Sequence, residues 1–189
     1  MQELKNFIKS KIHLEEKELD EICECFKPIA IPENRYLLKK GQYTNSYYFI
    51  RKGALRIYFE NNGKQTNAWF AFENDFFADL SSLKSGLPSQ YNIQALESCE
   101  LYYVDRNIME QLYNKYPKME RFGRLTWELA FTNVVNGIIS FQTMNAKERY
   151  LMAIKNPNLI QRVPLQHLAS YLGITQTSLS RLRAKIANN

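Results

Sequence analysis

The sequence predicts an α+β protein in which a β-rich segment lies between helices. Three observations support this fold class. Short strand-like segments separated by turns fill residues 27–105, apolar residues then recur with heptad spacing over residues 127–141, and two short helices joined by a glycine turn occupy residues 163–186. The predicted order is therefore helices, a β-domain, one long helix and a helix-turn-helix.

Residues 1–26 are predicted to form two short amphipathic helices. Apolar residues at helical spacing give each helix one buried stripe, whereas the other side of the second helix is rich in acidic residues and is predicted to be solvated. The stripes contain Leu4, Phe7 and Ile8 in the first helix and Leu19, Ile22, Cys23 and Phe26 in the second.

Between residues 27 and 105, the strand-like periodicity and turn residues predict six strands. Gly53 and Gly63 mark two hairpin turns, because glycine adopts positive φ at little cost. Many short strands at regular spacing favour a β-sandwich, jelly roll or barrel over a parallel sheet. The predicted strands span residues 36–39, 47–51, 54–60, 65–72, 92–97 and 101–104.

A long helix is predicted from Pro117 to about residue 144. Large apolar residues in it are separated by 4, 3, 4 and 3 positions, which is the spacing of a helix that pairs with a partner helix. We therefore predict a dimer interface; the alternative is a helix buried entirely within its own chain. Gly123 and Gly137 each cost the helix about 1 kcal/mol relative to alanine, which close helix approach would offset. The predicted interface residues are Trp127, Phe131, Val134, Ile138 and Phe141.

Residues 163–186 show the pattern of a helix-turn-helix. Pro164 suits the first position of a helix, Gly173 suits its left-handed end, and Thr175 can cap the next helix. Ala169 and Leu179 are the small and aliphatic residues expected where the two helices cross. The alternative is an ordinary pair of helices with a solvated face.

One face of the second helix is predicted to enter the major groove of DNA. Arg181 can pair with a guanine, its short polar neighbours can read or position adjacent bases, and the cations nearby suit phosphate contacts. The predicted DNA-binding residues are Gln176, Thr177, Ser180, Arg181, Arg183 and Lys185, with Ala184 on the same face and Lys147 as a further phosphate contact.

Asn145 and Glu148 predict a capped helix that ends near Pro157 and supports the helix-turn-helix. We therefore divide the chain into a β-domain with N-terminal helices (1–116), a dimerisation helix (117–144) and a DNA-binding domain (145–189). Charge follows this division, because residues 145–189 carry a net charge of +6 whereas residues 1–144 are neutral. A neutral body with a basic C-terminal segment is typical of a nucleic-acid binder.

Several classes of protein and cofactor are disfavoured. No apolar run approaches the roughly 18 residues of a membrane span and no signal peptide opens the chain, so we expect a cytoplasmic protein without a membrane partner. Three cysteines cannot supply a four-cysteine metal or iron–sulfur site, and only His13 and His167 are available as histidine ligands for haem or a cupin-type metal centre. We therefore expect no metal, no cofactor and no enzyme activity.

The order of elements and several local motifs resemble the cyclic-AMP-receptor/fumarate-nitrate-regulator (Crp/Fnr) family over essentially the whole chain. The motifs are residues 40–58 in the opening hairpins, 73–80 at the family's G-D-x-F-G-E-L segment, and 169–174 with 178–181 in the helix-turn-helix. The resemblance implies a double-stranded β-helix or jelly-roll domain of the cyclic-nucleotide-binding type, followed by a dimerisation helix and a winged-helix-like domain with a truncated wing. It also implies a homodimeric transcription regulator that binds double-stranded DNA and can contact RNA polymerase.

Departures from the family pattern concern the effector pocket. Cyclic-nucleotide-binding members carry Gly-Glu and, further along, Arg-Ser; this chain has Ala78 and Asp79, then Ser89 and Gln90. No arginine lies within residues 59–103, so an anionic cyclic phosphate lacks its guanidinium partner. We expect no response to cAMP or cGMP. The β-domain then either binds an uncharged or unknown effector or serves as a scaffold.

The recognition helix also departs from the family pattern. Gln176 and Thr177 stand where the family commonly has Arg-Glu, so the operator should differ from the best-known family consensus. The alternative function is a small-molecule-binding β-domain whose helix-turn-helix mediates protein contacts. Steep salt dependence of DNA binding would distinguish the two functions.

Overall fold

The computed structural model describes residues 1–187 and confirms the α+β class. The N-terminal helices are α1 (Gln2–Lys9) and α2 (Glu16–Glu24). The β-domain contains β1 (Lys27–Ile31), β2 (Tyr36–Leu38), β3 (Ser46–Lys52), β4 (Leu55–Asn61), β5 (Lys64–Ala71), β6 (Phe76–Phe77), α3 (Leu80–Ser85), β7 (Asn92–Ala95) and β8 (Cys99–Asp105). The remaining helices are α4 (Arg106–Lys115), α5 (Pro117–Thr143), α6 (Ala146–Ala153), α7 (Pro157–Arg162), α8 (Leu165–Tyr171) and α9 (Gln176–Ala187).

The strands form two four-stranded antiparallel sheets, in the orders β1-β8-β3-β6 and β2-β7-β4-β5. Their apolar faces enclose a core in which Ile50, Leu55, Ile93 and Leu101 are buried. Because the chain passes repeatedly between two facing antiparallel sheets, the domain has the predicted jelly-roll architecture. We call residues 27–105 the β-roll.

Three elements of the β-roll are absent from the prediction. β1 contains Pro28 and pairs only with β8 at a sheet edge, which is where proline is tolerated in a strand. β6 has only two residues, too few to show an alternating pattern. α3 is a six-residue helix capped by Asp79, whose Oδ1 accepts the N–H of Ser82 at 3.0 Å.

A second core joins the N-terminal helices, α4 and the first half of α5 to one side of the β-roll. Both predicted N-terminal helices contribute to it through their apolar stripes, because neither helix could bury such a stripe alone. Its fully buried members include Leu4, Ile8, Leu19, Ile22, Met109 and Phe122.

The long helix α5 begins and ends close to the predicted positions, although the division of the chain into domains stays a prediction. A Cβ added at Gly123 would lie 2.8 Å from the Tyr113 hydroxyl of α4, so this glycine does permit close helix approach. Gly137 has no such neighbour within 4 Å among residues 1–187. Across residues 1–187, no helix has both the length and the apolar character needed to cross a membrane.

Two proline positions in the C-terminal helices differ from the prediction. Pro157 follows the end of α6 but also begins α7, because the Asn156 side chain caps the new helix and proline fits its first turn. Pro164 lies just before α8 as its N-cap rather than inside it. The predicted Asn145–Glu148 capping box of α6 is present. The truncated wing would involve residues 188–189, which lie outside the described part.

Candidate nucleic-acid interface

The turn between α8 and α9 has the geometry of a helix-turn-helix. Gly173 adopts φ +71°, and its N–H bonds to the Ser170 carbonyl at 3.1 Å. The next N–H, of Ile174, bonds to the Ala169 carbonyl at 3.0 Å. These two bonds form the Schellman pattern that ends a helix at a left-handed glycine. Ala169 and Leu179 are buried, as expected at a helix crossing.

α9 presents its polar side to solvent. Thr175 caps the helix as predicted, because its Oγ1 accepts the N–H of Ser178 at 3.1 Å. Leu179 anchors the opposite side of α9 and is fully buried. The six residues predicted to bind DNA are all exposed, namely Gln176, Thr177, Ser180, Arg181, Arg183 and Lys185.

The cations of this exposed surface are free to meet a polyanion. Within residues 1–187, Arg181, Arg183 and Lys185 form no ion pair, and neither does the exposed Lys147 near the start of α6. Unpaired lysine and arginine can release counterions from DNA when they meet phosphates. The surface therefore has the charge that the sequence predicts for a DNA-binding face.

Arg149 belongs to the same basic segment, but its side chain makes contacts within the protein. Its Nε and Nη2 donate to the Leu172 carbonyl at 3.2 and 3.0 Å, and its guanidinium lies 4.9 Å from the centre of the Phe141 ring. Phe141 lies in the last turn of α5 and Leu172 directly follows α8. Arg149 therefore connects the helix-turn-helix to the end of the long helix.

The second half of α5 exposes an apolar face. Phe131, central in the predicted dimer interface, is 69% exposed, and Val134, Ile138 and Phe141 are each about half exposed. Extended apolar patches of this kind mark interaction surfaces on soluble domains. The assignment of these four residues to a dimer interface stays a prediction, and their exposure is consistent with it.

Trp127 differs from the other four residues of the predicted interface. The centre of its indole lies 6.1 Å from the ring centres of both Tyr47 and Phe76, so it packs on the β-roll of its own chain. Heptad spacing alone cannot separate these two environments, because the same face of α5 contacts the β-roll first and becomes exposed further along. Trp127 therefore contributes to intramolecular packing.

The predicted effector-pocket positions hold no cation. Asp79 is buried, with its Oδ1 capping α3 and its Oδ2 without a hydrogen-bond partner in residues 1–187. Ser89 is also buried and donates to the Tyr91 carbonyl at 3.0 Å, whereas Gln90 is exposed and Ala78 is partly buried. Burial, together with the Asp79 carboxylate, raises the pKa of Tyr91. Ser89, a neutral residue, therefore stands where cyclic-nucleotide binders need a guanidinium, and Asp79 stands where they carry glutamate.

Arg56 does not supply the missing cation. Its Nε and Nη2 donate to Gln94 at 2.9 and 2.6 Å, and its guanidinium stacks 4.0 Å from the centre of the Tyr58 ring. The same guanidinium contacts His167 of α8, so Arg56 lies on the side of the β-roll that meets the helix-turn-helix.

The contacts between the helix-turn-helix and the β-roll have no counterpart in the sequence pattern. Arg162, His167 and Ser170 reach partners that lie 89, 111 and 103 residues away along the chain. No local pattern connects residues at such separations, and each of the three is an ordinary helix residue by spacing. The basic character of residues 145–189 is the one sequence signal that includes Arg162.

Comparison with known proteins agrees with this architecture. Residues 28–116 match the cyclic nucleotide-binding domain family. A match of 184 residues in length, which covers 89% of this chain and 65% of the relative, is 27% identical to the anaerobic regulatory protein of Pasteurella multocida (strain Pm70). The fold resembles FixK2 from Bradyrhizobium japonicum, with TM-score 0.75, 15% identity and coverage of 86% of this chain and 85% of that one. It also resembles a cyclic nucleotide-binding domain containing protein from Listeria monocytogenes EGD-e, with TM-score 0.73, 17% identity and coverage of 98% and 91%.

The fold and the exposed α9 define a class of protein in which a β-roll of the cyclic nucleotide-binding type carries a long helix and a helix-turn-helix. The C-terminal helices are part of the similarity, because the aligned regions extend well beyond residues 28–116. The chain is similar to Crp/Fnr-type regulators over most of its length.

Proposed function

We propose that the protein is a homodimeric, cytoplasmic transcription regulator that binds double-stranded DNA sequence-specifically and has no enzyme activity. The exposed face of α9 is the observation that carries this proposal, because base-reading and phosphate-binding side chains stand together on it. The exposed apolar face of α5 supports the homodimer. In such a dimer the two α9 helices would enter successive major grooves about 34 Å apart.

The predicted DNA-binding side chains, on α9 and at Lys147 of α6, divide by chemistry into base readers and phosphate contacts. Arg181 has a fork that can pair with O6 and N7 of one guanine. The shorter polar residues reach or position adjacent bases, while flexible cations at the edge of the face reach the backbone. The base-reading group is Gln176, Thr177, Ser180 and Arg181, and the phosphate group is Lys147, Arg183 and Lys185.

The β-roll does not respond to cAMP or cGMP under this proposal. The pocket positions Asp79 and Ser89 offer no positive charge to a cyclic phosphate, and Arg56 faces the helix-turn-helix. The β-roll then binds an uncharged or unknown effector or acts as a scaffold. A regulator that activates transcription also needs a contact with RNA polymerase.

Selection of bound DNA from a random pool by the full chain tests the function, with parallel selections in millimolar cAMP or cGMP. We expect one two-fold-symmetric sequence in every selection, bound with an affinity that falls steeply as salt rises. Failure to enrich any sequence would favour the alternative in which the helix-turn-helix contacts proteins. Enrichment that depends on cAMP or cGMP would overturn the interpretation of the pocket.

A further inference from the structure

The outer face of the β-roll, formed by β4 and β5, is covered by α7 and α8. Phe70 and Phe72 share an apolar cluster with Leu159 and Leu168 of these helices. The Phe70 ring also meets the edge of Tyr171 with ring centres 5.4 Å apart. These shared apolar contacts show that α7 and α8 pack against the β-roll, and their burial stabilises the contact.

A cluster of charges, which we call the clasp (Arg162, Glu73 and Glu97), closes one end of this contact. Arg162 donates to both carboxylate oxygens of Glu73, at 2.6 and 2.8 Å, and also to Glu97. Its guanidinium lies 5.3 Å from the centre of the Phe72 ring. Glu73 is held in turn by the N–H of Gly53 at 2.7 Å. Because bidentate pairing fixes an angle as well as a distance, the clasp holds α7 in one orientation.

Polar contacts between α8 and β5 form the other end. β5 has a bulge near Asn67, and the Asn67 N–H donates to Ser170 Oγ at 3.0 Å. Ser170 itself donates to the Gln65 carbonyl at 3.1 Å, and the Asn67 side chain donates to the His167 carbonyl at 3.3 Å. Ser170 therefore bonds to the backbone of two residues of one strand, which fixes the position of α8 along β5.

The same contact also buries polar groups whose removal from water is unfavourable. Arg56 is only 5% exposed, yet its partners are neutral, namely Gln94, Gln65 and the Nδ1 of His167 at 3.2 Å. A guanidinium can only donate, so His167 must be neutral and must accept through Nδ1. Asn67 Oδ1 is buried without a partner in residues 1–187, and leaving a buried acceptor unpaired is unfavourable. Favourable and unfavourable contributions thus meet in one contact, which makes it easier to open than a purely apolar one.

We propose that this contact is an intramolecular latch that holds α9 in the orientation used on DNA. α9 takes no part in the polar contacts, and its predicted DNA-binding residues stay exposed while the latch is closed. A dimer whose recognition helices are already oriented loses less conformational freedom when it binds two half-sites. The closed latch therefore favours DNA binding, and its opening weakens it. The DNA part of this proposal rests on the proposed function.

The first measurement requires no DNA. Arg162→Glu places a negative charge against Glu73 and Glu97, and Lys155→Glu is the matched control because Lys155 is exposed and forms no ion pair within residues 1–187. Hydrogen exchange of the Asn67 amide, followed by NMR in the full chain, reports whether the latch is closed. We expect exchange in Arg162→Glu to be faster by about tenfold or more, and unchanged in Lys155→Glu.

The second measurement is the affinity of the same variants for the selected operator. Both variants change the net charge equally, so long-range repulsion of DNA is matched between them. We expect Arg162→Glu to bind roughly 5- to 150-fold more weakly than Lys155→Glu, the usual range for coupled sites. The charge swap Arg162→Glu with Glu73→Arg should recover much of the affinity. If Arg162→Glu does not fold, the isosteric pair Glu73→Gln with Glu97→Gln replaces it. Its control of equal net charge is Glu60→Gln with Glu120→Gln, at two exposed residues without an ion pair within residues 1–187.

The possible outcomes separate the latch from the proposed function. Unchanged exchange at Asn67 in a folded clasp variant would overturn the latch itself. Faster exchange with equal or tighter operator binding would overturn the claim that the closed latch favours DNA binding. If the wild-type chain enriches no DNA sequence, the proposed function fails, while the exchange measurement still decides whether the clasp closes the latch.

Discussion

At the scale of single residues, the proposed function gives Arg181 and Lys185 two different kinds of contact with DNA from one helix face. Arg181→Ala should cost about 1–3 kcal/mol per half-site and relax base preference at one position, because its fork can recognise one guanine. Lys185→Ala should instead weaken all sequences about equally and lower the salt slope by about one for each phosphate that the side chain no longer neutralises.

Titration of both variants against the selected operator and its single-base variants, at two salt concentrations, separates these effects. Each protein serves as the control for the other, since both side chains are exposed and unpaired within residues 1–187. A uniform decrease in affinity for Arg181→Ala with intact base preference would show that Arg181 binds phosphate.

Gly173 and Gly137 allow a second comparison at the scale of the residue. Gly173→Ala should destabilise the protein by about 1–3 kcal/mol, because φ is +71° and the new Cβ would lie 3.1 Å from the Phe141 ring. Gly137→Ala should stabilise it by about 0.4–1 kcal/mol, since that helical glycine has open space around it. Denaturant unfolding at matched protein concentration measures both. Equal effects of the two substitutions would contradict this account of the turn.

At the scale of the element, the two halves of α5 have different surroundings. Phe131→Glu with Val134→Glu places charges on the exposed apolar face, four of them in a dimer, and should produce monomers that lose specific DNA binding. Sedimentation measures the oligomeric state. Tyr43→Glu is the control, because Tyr43 is also 69% exposed but lies in a loop of the β-roll. A double variant that still sediments as a dimer would place the interface elsewhere.

Elements with strong local signals are the ones that the sequence predicts well. The β4–β5 hairpin follows from alternation and from Gly63, and the end of α8 follows from Gly173. α7 is missed because Pro157 suggests a break, whereas it occupies the first turn of a helix. β1 is missed because Pro28 argues against a strand, although proline is tolerated at a sheet edge. Local patterns show where a chain turns, but proline is compatible with both a break and the start of an element.

At the scale of the whole molecule, the contacts between its parts could not be predicted. The exposed face of α9 is visible in the sequence because helical spacing determines which residues share it. The clasp is not visible, because Glu73 and Arg162 are 89 residues apart and each is a common surface residue. The same holds for Trp127, whose helical position does not reveal whether the β-roll or a partner lies opposite.

The latch also predicts how stability depends on pH. Burial, with a smaller contribution from the Arg56 charge, lowers the pKa of His167 from 6.5 to about 4. The unfolded chain therefore takes up this proton first, so the stability from neutral His167 is complete above about pH 6.5 and is lost as pH falls towards 4. The groups of the β-roll that contact His167 are Arg56 on β4 and Asn67 on β5.

Urea unfolding between pH 7 and 4 tests this dependence. His167→Gln keeps an acceptor for Arg56 but does not titrate, so it should lose less stability than the wild type over this range. Glu73 contributes a separate decrease in stability below about pH 4.5, because Arg162 lowers the pKa of Glu73 to about 2. Identical pH profiles for wild type and His167→Gln would mean that His167 is not held neutral by the docked β-roll.

The central claim is that a dimer places two α9 helices in successive major grooves. Its most direct test is binding of the full chain to the selected operator and to the same operator with about five base pairs, half a helical turn, inserted between its half-sites. The insertion turns one half-site away from the face that a rigid dimer can reach. We expect the insertion to reduce binding to the level of a single half-site. Affinity that is unchanged by the insertion would contradict the account.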